Sequence, residues 1–191
     1  MNIFYLDPDP KICAQYHVDK HVVKMIIEYA QLMSTAHRIL DGEQYTDLTA
    51  AGRRIQRWRL HDERETILYK ASHINHPSAI WTRDSEINYR WLFCMWAELL
   101  DEYTHRYGKI HACAKLMTTL AKPPHNIKFG ELFYAPTPAM PQDLKIVAKN
   151  PVAGRKYDVL ASYKNYYIKD KARFARWKNR NTPEWFVNAK I

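Results

Sequence analysis

A line of polar side chains interrupts a long apolar segment near the start of the chain, and it contains an acid, an amine and two imidazoles. Steps of three or four residues separate its members, so a helix would place them on one face. In order they are His17, His21, Lys24, Glu28, Gln31 and Thr35. Imidazole, amine and carboxylate groups this close together can exchange protons, and a neutral amine can attack a sugar carbon. The alternative is that the line is the solvated side of an amphipathic helix.

The segment from Asp9 to Leu40 must position this line, and its sequence predicts one continuous helix. Asp9 is a favourable N-cap, and Pro10 suits the first turn, where its missing N–H costs nothing. No further Pro or Gly follows until Asp41-Gly42, a typical helix stop. The apolar arc around the polar line is very wide, which predicts a helix buried on most sides with the line facing a pocket. The arc comprises Val18, Val22, Val23, Met25, Ile26, Ile27, Leu32 and Met33.

Length and composition favour a single all-α domain. The chain has 191 residues, of which 47% are hydrophobic, enough for one sizeable core. Only 5 glycines are present, which disfavours a turn-rich β architecture and a glycine-lined phosphate loop. We expect one compact helical domain: a helical core with the site over 1–121, a proline-rich loop over 122–155, and a basic, aromatic C-terminal helix and tail over 156–191.

A second helix is predicted from Thr46 to about Lys70. It carries the sequence RRIQRWR at 53–59, which is either a solvated face or a patch that contacts phosphates. Its expected core contacts are Leu48, Ile55, Trp58, Ile67 and Leu68.

A polar loop over 72–78 should precede a third, long helix that begins at Pro77. The aromatic residues of that helix fit a core better than a platform for stacked bases. Gly108 is expected to cap or kink it, and a further helical piece should follow over 109–121.

The basic charge of the chain points to nucleic acid as its partner. The formal net charge is +9, and between Arg155 and Arg180 nine basic residues stand against two aspartates. Aromatic residues are interleaved with them in a helix predicted over 156–178, and such a mixture suits a phosphate backbone together with unstacked bases. Candidate DNA contacts in this region are Lys164, Tyr166, Tyr167, Lys169, Lys171, Arg173, Arg176 and, in the tail, Trp185.

Further candidate contacts lie on the polar line and near helix starts. Arg83 could hold a phosphate or form a surface salt bridge, while Asn75 and His76 precede a helix start, a common place for anions. The two histidines of the line could bind a metal with Glu28, but no HExxH sequence is present, and neither a metal nor a cofactor is predicted. The DNA contacts predicted outside the C-terminal region are His17, Lys20, Gln31, Asn75, His76 and Arg83.

Cysteine usage and the first residues predict a cytoplasmic protein. The three cysteines are an odd number without paired spacing, so neither a disulfide framework nor a cysteine zinc site is indicated, and a reducing compartment fits best. The sequence MNIFYLDPDPK lacks the basic start and apolar run of a signal peptide. No segment has the roughly 18 apolar residues of a membrane span. If a phage encodes the protein, the compartment is the cytoplasm of its host.

Four short segments, in order along about half of the chain, match the pattern of a known family. Residues 19–21, DKH, with Glu28 nine residues after the aspartate, match an Asp-x-His motif and its catalytic glutamate. The His-Pro pair at 76–77 is followed by an aromatic helix ending in EYTHRYG at 102–108, and the basic C-terminal stretch closes in TPEW at 182–185. The chain in this respect resembles the pyrimidine-dimer DNA glycosylases, also called endonuclease V-type excision enzymes, and their tailed-phage relatives.

The resemblance implies a compact all-helical enzyme that acts on double-stranded DNA without a metal or cofactor. In the family, the N-terminal α-amine attacks the sugar C1′ of a damaged pyrimidine nucleotide, an imine forms, and β-elimination nicks the strand. The glutamate that handles the proton transfers corresponds to Glu28. The histidine beside the damaged strand corresponds to His21.

The identity of the nucleophilic amine is left open by the sequence. Asn2 stands where the family has a small residue that is exposed after removal of the first methionine, and removal before asparagine is unfavourable. The α-amine of Met1 or Asn2 is therefore the first candidate, since α-amines titrate near pH 7.7–8.0. Lys24 is another, although its place one turn before Glu28 favours a charged ion pair. Two arginines that flank the family glutamate are replaced by Ile27 and Gln31.

The sequence therefore predicts a monomeric DNA glycosylase and abasic-site lyase acting on damaged or modified pyrimidines. Two alternatives remain open. One is a phage enzyme that hypermodifies thymine bases on a glycosylase-like scaffold, and the other is a helical DNA-binding protein without catalysis.

Overall fold

The structure, a computed structural model, describes residues 1–130, 132–151 and 155–190, and over these residues the chain is mostly helical. The helices are α1 (Pro10–Tyr16), α2 (Asp19–Asp41), α3 (Arg64–Ile67), α4 (Pro77–Asp84), α5 (Glu86–Tyr107), α6 (Met117–Leu120), α7 (Val159–Tyr166) and α8 (Glu184–Val187). The strands are β1 (Glu43–Leu48), β2 (Arg54–Arg59), β3 (Ile146–Val147) and β4 (Tyr157–Asp158). The predicted helical fold is thus confirmed in its main character. The all-α prediction is corrected by two antiparallel two-stranded sheets, β1–β2 and β3–β4.

The segment predicted as one helix over 9–40 is two helices with a break between them. Asp9 caps α1 by accepting from the backbone N–H groups of residues 11 and 12, as predicted, and α2 ends at Asp41. The chain is extended at His17 and Val18, between α1 and α2. The break has a physical cause, because the Arg106 guanidinium takes the carbonyl of His17 at 2.9 Å and that of Gln15 at 2.9 Å. A continuous helix would have needed carbonyls of this turn for its own hydrogen bonds.

A β-hairpin occupies the segment predicted as the second helix, so that prediction is wrong. Strands β1 and β2 pair in register from Glu43–Arg59 to Leu48–Arg54, and Gly52 in the turn has φ +72°. This φ is the left-handed conformation that glycine adopts most readily, and an internal glycine was the sequence signal against a helix. Leu48 and Ile67, predicted as core residues, are exposed.

The third predicted helix is also divided, and its ends are as predicted. Pro77 occupies the first turn of α4, and Gly108 caps α5 with φ +64°. Ser85 is extended and separates α4 from α5, and its hydroxyl accepts from the backbone N–H of Asn88. Over 109–121 the chain forms a 3₁₀ helix, Ala112–Leu116, followed by α6. The helical prediction for this stretch is confirmed in part.

The last third of the chain is less regular than a long C-terminal helix. The proline-rich loop over 122–155 contains a 3₁₀ turn at Gln142–Leu144 and strand β3; residues 131 and 152–154 of it lie outside the described residues. Helix α7 continues into a π-helical turn, Tyr167–Lys171, and a 3₁₀ turn, Ala172–Phe174. The predicted end at 178 is corrected, because backbone bonds cease to be helical after 174.

The core forms around α2 and an N-terminal arm, residues 1–6. Helix α2 packs against α4 and α5, and α1 packs against α5. Residues 3–6 of the arm are at most 6% exposed, so the start of the chain lies inside the fold. The arm is fixed there because Tyr29 accepts from the Phe4 N–H at 3.2 Å and the Cys13 thiol bonds to the Phe4 carbonyl at 3.2 Å. Of the described helices, none is both long and apolar enough to cross a membrane.

A buried ion network joins four parts of the chain at Arg106. Its side chain is fully buried and donates to Glu102 at 2.6 Å and to Asp19 at 2.8 Å. Glu102 also accepts from Arg180 at 2.8 Å, and Asp19 accepts from the Lys178 N–H at 2.9 Å. The network therefore connects α1, α2, α5 and the C-terminal segment. Asp19 and the segment 102–108, which carried part of the family resemblance, hold the fold together here.

Replacing Arg106 with methionine should lower the free energy of unfolding by about 3–5 kcal/mol, because two carboxylates and two carbonyls lose their buried donor. Arg90→Met is the matched control, since Arg90 also pairs with a glutamate four residues earlier on α5, Glu86 at 2.6 Å, but is exposed. We expect this control to cost less than about 1 kcal/mol. Urea unfolding monitored by circular dichroism measures both, and equal costs would contradict the structural role of the network.

Candidate active site

A cavity of about 350 Å³ lies beside the middle of α2 and collects most of the residues predicted to be catalytic. Three stretches that are distant in sequence close it: the N-terminal arm, the loop before α4 and the region after α7. Its lining residues are Met1, Asn2, Phe4, His21, Lys24, Met25, Glu28, His76, Ala139, Tyr166 and Lys171. The five residues predicted as catalytic, Glu28, His21, Met1, Asn2 and Lys24, are all among them.

Two amines converge on the Glu28 carboxylate. The α-amine nitrogen of Met1 lies 3.9 Å from Oε2, and the Lys24 ammonium lies 3.1 Å from Oε1. Glu28 and Met1 are largely shielded, with side chains 16% and 4% exposed, whereas the Lys24 side chain is 70% exposed. The α-amine is thus the more enclosed of the two nitrogens. A carboxylate within reach of an amine can take up and return its protons.

Asn2 holds the start of the chain in place. Its amide donates to the Ala139 carbonyl at 2.8 Å, and its side-chain oxygen accepts from the Tyr163 hydroxyl at 2.6 Å. Tyr163 is completely buried on α7, and Ala139 belongs to the proline-rich loop. Because both partners are fixed, the amine one residue earlier is positioned toward Glu28. Asparagine at position 2 therefore has a structural task that a small residue could not perform.

His21 forms one wall of the cavity as a neutral imidazole. Its ring stacks on Phe4 with 4.1 Å between centroids, and its Nδ1 lies 2.6 Å from the buried Tyr167 hydroxyl. Burial, together with the positive charges of Lys171 and Lys24, lowers the pKa of His21 to about 2. A neutral ring that is packed and hydrogen-bonded can orient a ligand, but it is a poor proton donor near pH 7.

The opposite side of the cavity combines an imidazole with an aromatic–cation pair. His76 accepts from the Ser78 N–H at 3.1 Å through Nδ1, and burial and the nearby α-amine lower its pKa. The Lys171 ammonium lies 4.3 Å from the centre of the Tyr166 ring and 2.7 Å from Asp170. Although burial opposes it, the hydrogen bond to Asp170 raises the pKa of Lys171, which stays charged. The cavity can therefore hold an anionic, planar ligand.

Basic side chains continue from the cavity onto the neighbouring surface, around Phe174. The Phe174 ring lies 5.9 Å from that of His21, and the Lys20 ammonium and the Arg173 guanidinium lie 4.9 and 5.6 Å from its centre. We call Lys20, Lys24, Lys171 and Arg173 the basic rim. It brings together cations from α2 and from the C-terminal segment, as expected for a surface that follows a phosphate backbone.

The remaining predicted DNA contacts lie elsewhere. His17 and Tyr167 are fully buried, and His17 bonds to the Cys13 carbonyl and the Tyr29 hydroxyl, both at 2.8 Å. With both ring nitrogens occupied, His17 is not placed to bind DNA or a metal. Five others are outside the cavity on the surface or half-buried, namely Gln31, Asn75, Arg83, Lys169 and Arg176. Lys164 lies over the Trp185 ring at 5.5 Å, and that ring packs against Tyr16 and Tyr167.

The polar line therefore divides into three parts. His17 belongs to the core, the stretch from His21 to Glu28 faces the cavity, and Thr35 is buried near the Ser72 carbonyl at 3.4 Å. Sequence reasoning missed Phe4, Met25 and Ala139 as lining residues. The apolar run at the start of the chain was the available signal for Phe4. Nothing local in the sequence marks Ala139.

A second, larger cavity of about 670 Å³ lies between α1 and the C-terminal tail, lined by Gln15, Tyr16 and residues 179–184. Its charged members are Arg180, which is engaged by Glu102, and Glu184. It has no amine beside a carboxylate and no imidazole among its lining residues. Size alone therefore does not make it the better candidate.

No family model matches the chain, and neither a curated protein nor a solved structure matches it.

Proposed function

We propose that this protein is a DNA glycosylase and abasic-site lyase that acts on damaged or modified pyrimidines in double-stranded DNA through an amine–imine intermediate. The observation that carries the proposal is the α-amine of Met1 at 3.9 Å from the Glu28 carboxylate inside a cavity with a basic rim. A nucleophile, a proton carrier and an anion-binding surface are the three elements that this chemistry needs.

The α-amine is the nucleophile and Glu28 the proton carrier. The neutral amine forms a bond to C1′ while the glycosidic bond breaks and its electron pair leaves on the base, which takes a proton from solvent. Glu28 accepts a proton from the new ammonium and delivers it to the ring oxygen, O4′, as the sugar opens to an iminium ion. The carboxylate then removes a proton from C2′, the electrons pass into the iminium, and the C3′–O bond breaks to release the phosphate. Water finally hydrolyses the imine.

Lys24 serves as an electrostatic partner in this scheme. Its ammonium is nearer to Glu28 than the α-amine is, at 3.1 Å, and a charged lysine has no lone pair for attack. The exposed position of its side chain also suits contact with a phosphate at the cavity mouth.

Duplex DNA as substrate is supported by charge and by the shape of the cavity. The basic rim borders an opening large enough for one nucleotide rather than for a helix, so the target must leave the base stack. Tyr166 and Phe4 offer aromatic faces inside the cavity for such a nucleotide. The chain's net charge of +9 favours binding to the surrounding backbone.

Incubation with an abasic duplex and sodium borohydride should trap the protein covalently on DNA, because reduction of the imine makes the link permanent. Extension of the chain by Gly-Ser before Met1 should abolish trapping, since the amine is displaced from Glu28. Lys24→Ala should retain it, and Lys11→Ala, a change on the exposed side of α1, serves as the matched control. Gel electrophoresis of the reduced mixture measures the adduct.

Several outcomes separate the proposal from its alternatives. Duplex binding without any adduct would identify a non-catalytic DNA-binding protein. An adduct on abasic DNA without release of a base from ultraviolet-irradiated duplex would restrict the activity to the lyase step. Trapping that persists in the extended chain and disappears in Lys24→Ala would transfer the nucleophile to the lysine.

A further inference from the structure

The β1–β2 hairpin is an arm that the proposed chemistry does not use. Its base is fixed to the body by Arg38, which is 2% exposed and donates to the Trp58 carbonyl at 2.9 Å and to Glu65 at 2.6 Å. Its tip is stabilised within itself, by bonds between Thr49 and Arg53 at 2.9 and 3.1 Å. Among the described elements, the strands pack mainly against each other and the end of α2. The arm thus leaves both strand edges and most of one face open.

The open face carries side chains that read bases. The register places three cross-strand pairs on it: Gln44 with Trp58, Thr46 with Gln56, and Leu48 with Arg54. All of these except Trp58 are exposed. Gln44 donates to Gln56 at 3.1 Å, and Gln56 donates to Thr46 at 3.3 Å, which aligns the amides along the face. Glutamine and arginine are the side chains that pair bidentately with adenine and guanine in the major groove.

The arm is also positively charged at its free end. Residues 43–59 hold four arginines against Glu43 and Asp47. Glu43 pairs with His61 at 3.0 Å and Asp47 lies 3.7 Å from Arg57, so both acids are engaged near the strands. No carboxylate of the described residues lies in ion-pair range of Arg53 or Arg54 at the tip. Two unneutralised guanidinium groups on a protruding hairpin are complementary to a polyanion.

We propose that the β1–β2 arm enters the major groove of double-stranded DNA, with Arg53 and Arg54 on phosphates and Gln44 and Gln56 toward base edges. The inference rests on duplex DNA being the substrate of the proposed function. The B-form major groove is about 12 Å wide and admits a two-stranded ribbon. Duplex RNA, whose major groove is deep and narrow, does not offer this fit.

The arm contacts DNA away from the nucleotide in the cavity. From Glu28 to Gly42, α2 advances about 21 Å, the length of about six base pairs of B-form DNA. The arm begins there and continues outward. Its contribution therefore depends on the length of duplex that flanks the target nucleotide, which gives the proposal a test that the active site does not share.

The double variant Arg53→Ala/Arg54→Ala should bind an abasic duplex with long flanks about tenfold more weakly than the wild type. Its salt dependence should be shallower by about 1.8 in the slope of log affinity against log salt, for two lost phosphate contacts. On a duplex with about three base pairs on either side of the abasic site, which the arm does not reach, the two proteins should bind equally. Lys109→Ala/Lys115→Ala removes the same charge from exposed positions at the far end of α5 and beyond. It should affect both duplexes equally and only slightly.

Fluorescence anisotropy with both duplexes measures these affinities, and borohydride trapping at saturating DNA should remain at the wild-type level in the arm variant. A variant that binds the long duplex with wild-type affinity and salt slope would overturn the role of the arm and leave the proposed function intact. A wild-type protein that binds no duplex would overturn both. An arm variant that changes the oligomeric state but not DNA affinity would assign the arm to a second copy of the chain, which also overturns the proposal.

Discussion

Glu28→Gln should reduce strand cleavage at an abasic site by about 10²–10⁴-fold, the usual contribution of a positioned acid–base group. The amide has nearly the same size as the carboxylate and can still accept a hydrogen bond from the Met1 amine or Lys24. It cannot take a proton from the attacking amine or from C2′. Duplex affinity should change little, because the substitution removes a negative charge rather than a phosphate contact. Single-turnover cleavage of a labelled abasic duplex measures the rate.

Glu63→Gln is the matched control for this substitution. Glu63 is exposed and lines a different cavity, with Arg64 and His125. Its replacement should leave both the cleavage rate and the melting temperature near wild-type values. If Glu28→Gln cleaves at the wild-type rate, the carboxylate carries no protons in the reaction, and the assignment of the cavity as an active site fails with it.

The folded protein should lose stability steeply as the pH falls below about 6.5. Burial lowers the pKa of His17 to about 4, that of His21 to about 2 and, with Arg64 nearby, that of His37 to about 4. In the unfolded chain these histidines titrate near 6.5 and take up protons that the folded state refuses. The stabilisation is therefore complete above pH 6.5 and is lost as the pH falls toward the folded-state values. Each histidine contributes about 1.4 kcal/mol per pH unit, so three approach the whole stability of a domain within about two units.

Thermal unfolding between pH 7.5 and 4.5 tests this dependence. His61→Gln is the control, because His61 is exposed and should not alter the slope. His21→Gln should make the slope shallower by about one third, as one of three buried histidines is removed. A melting temperature that stays constant from pH 7 to 5 would contradict the burial of these rings as neutral groups.

Local signals in the sequence predicted the helix ends and the main line of the site. Asp9, Pro77 and Gly108 act as caps through their own backbone geometry, which depends on few neighbours, and these predictions are confirmed. The spacing of His21, Lys24 and Glu28 required only helical periodicity, and the three side chains do line one cavity.

Long-range contacts account for what the sequence did not predict. The break at His17 depends on Arg106, which is distant in the chain and takes the carbonyls that a helix would use. The cavity closes only because Asn2 bonds to Ala139 and Tyr163, and no spacing rule connects those positions. The hairpin was missed although Gly52 marks its turn, since the arginines and Trp58 were interpreted as a helical face.

The central claim is that the α-amine of Met1 is the nucleophile. Its most direct test is peptide mass spectrometry of the borohydride-reduced adduct on an abasic duplex, preceded by intact-mass measurement of the protein to establish its first residue. The account predicts a deoxyribose remnant on the α-nitrogen of the peptide that begins at Met1. A remnant on Lys24 or on any other lysine, or the absence of an adduct from protein that binds the duplex, would contradict it.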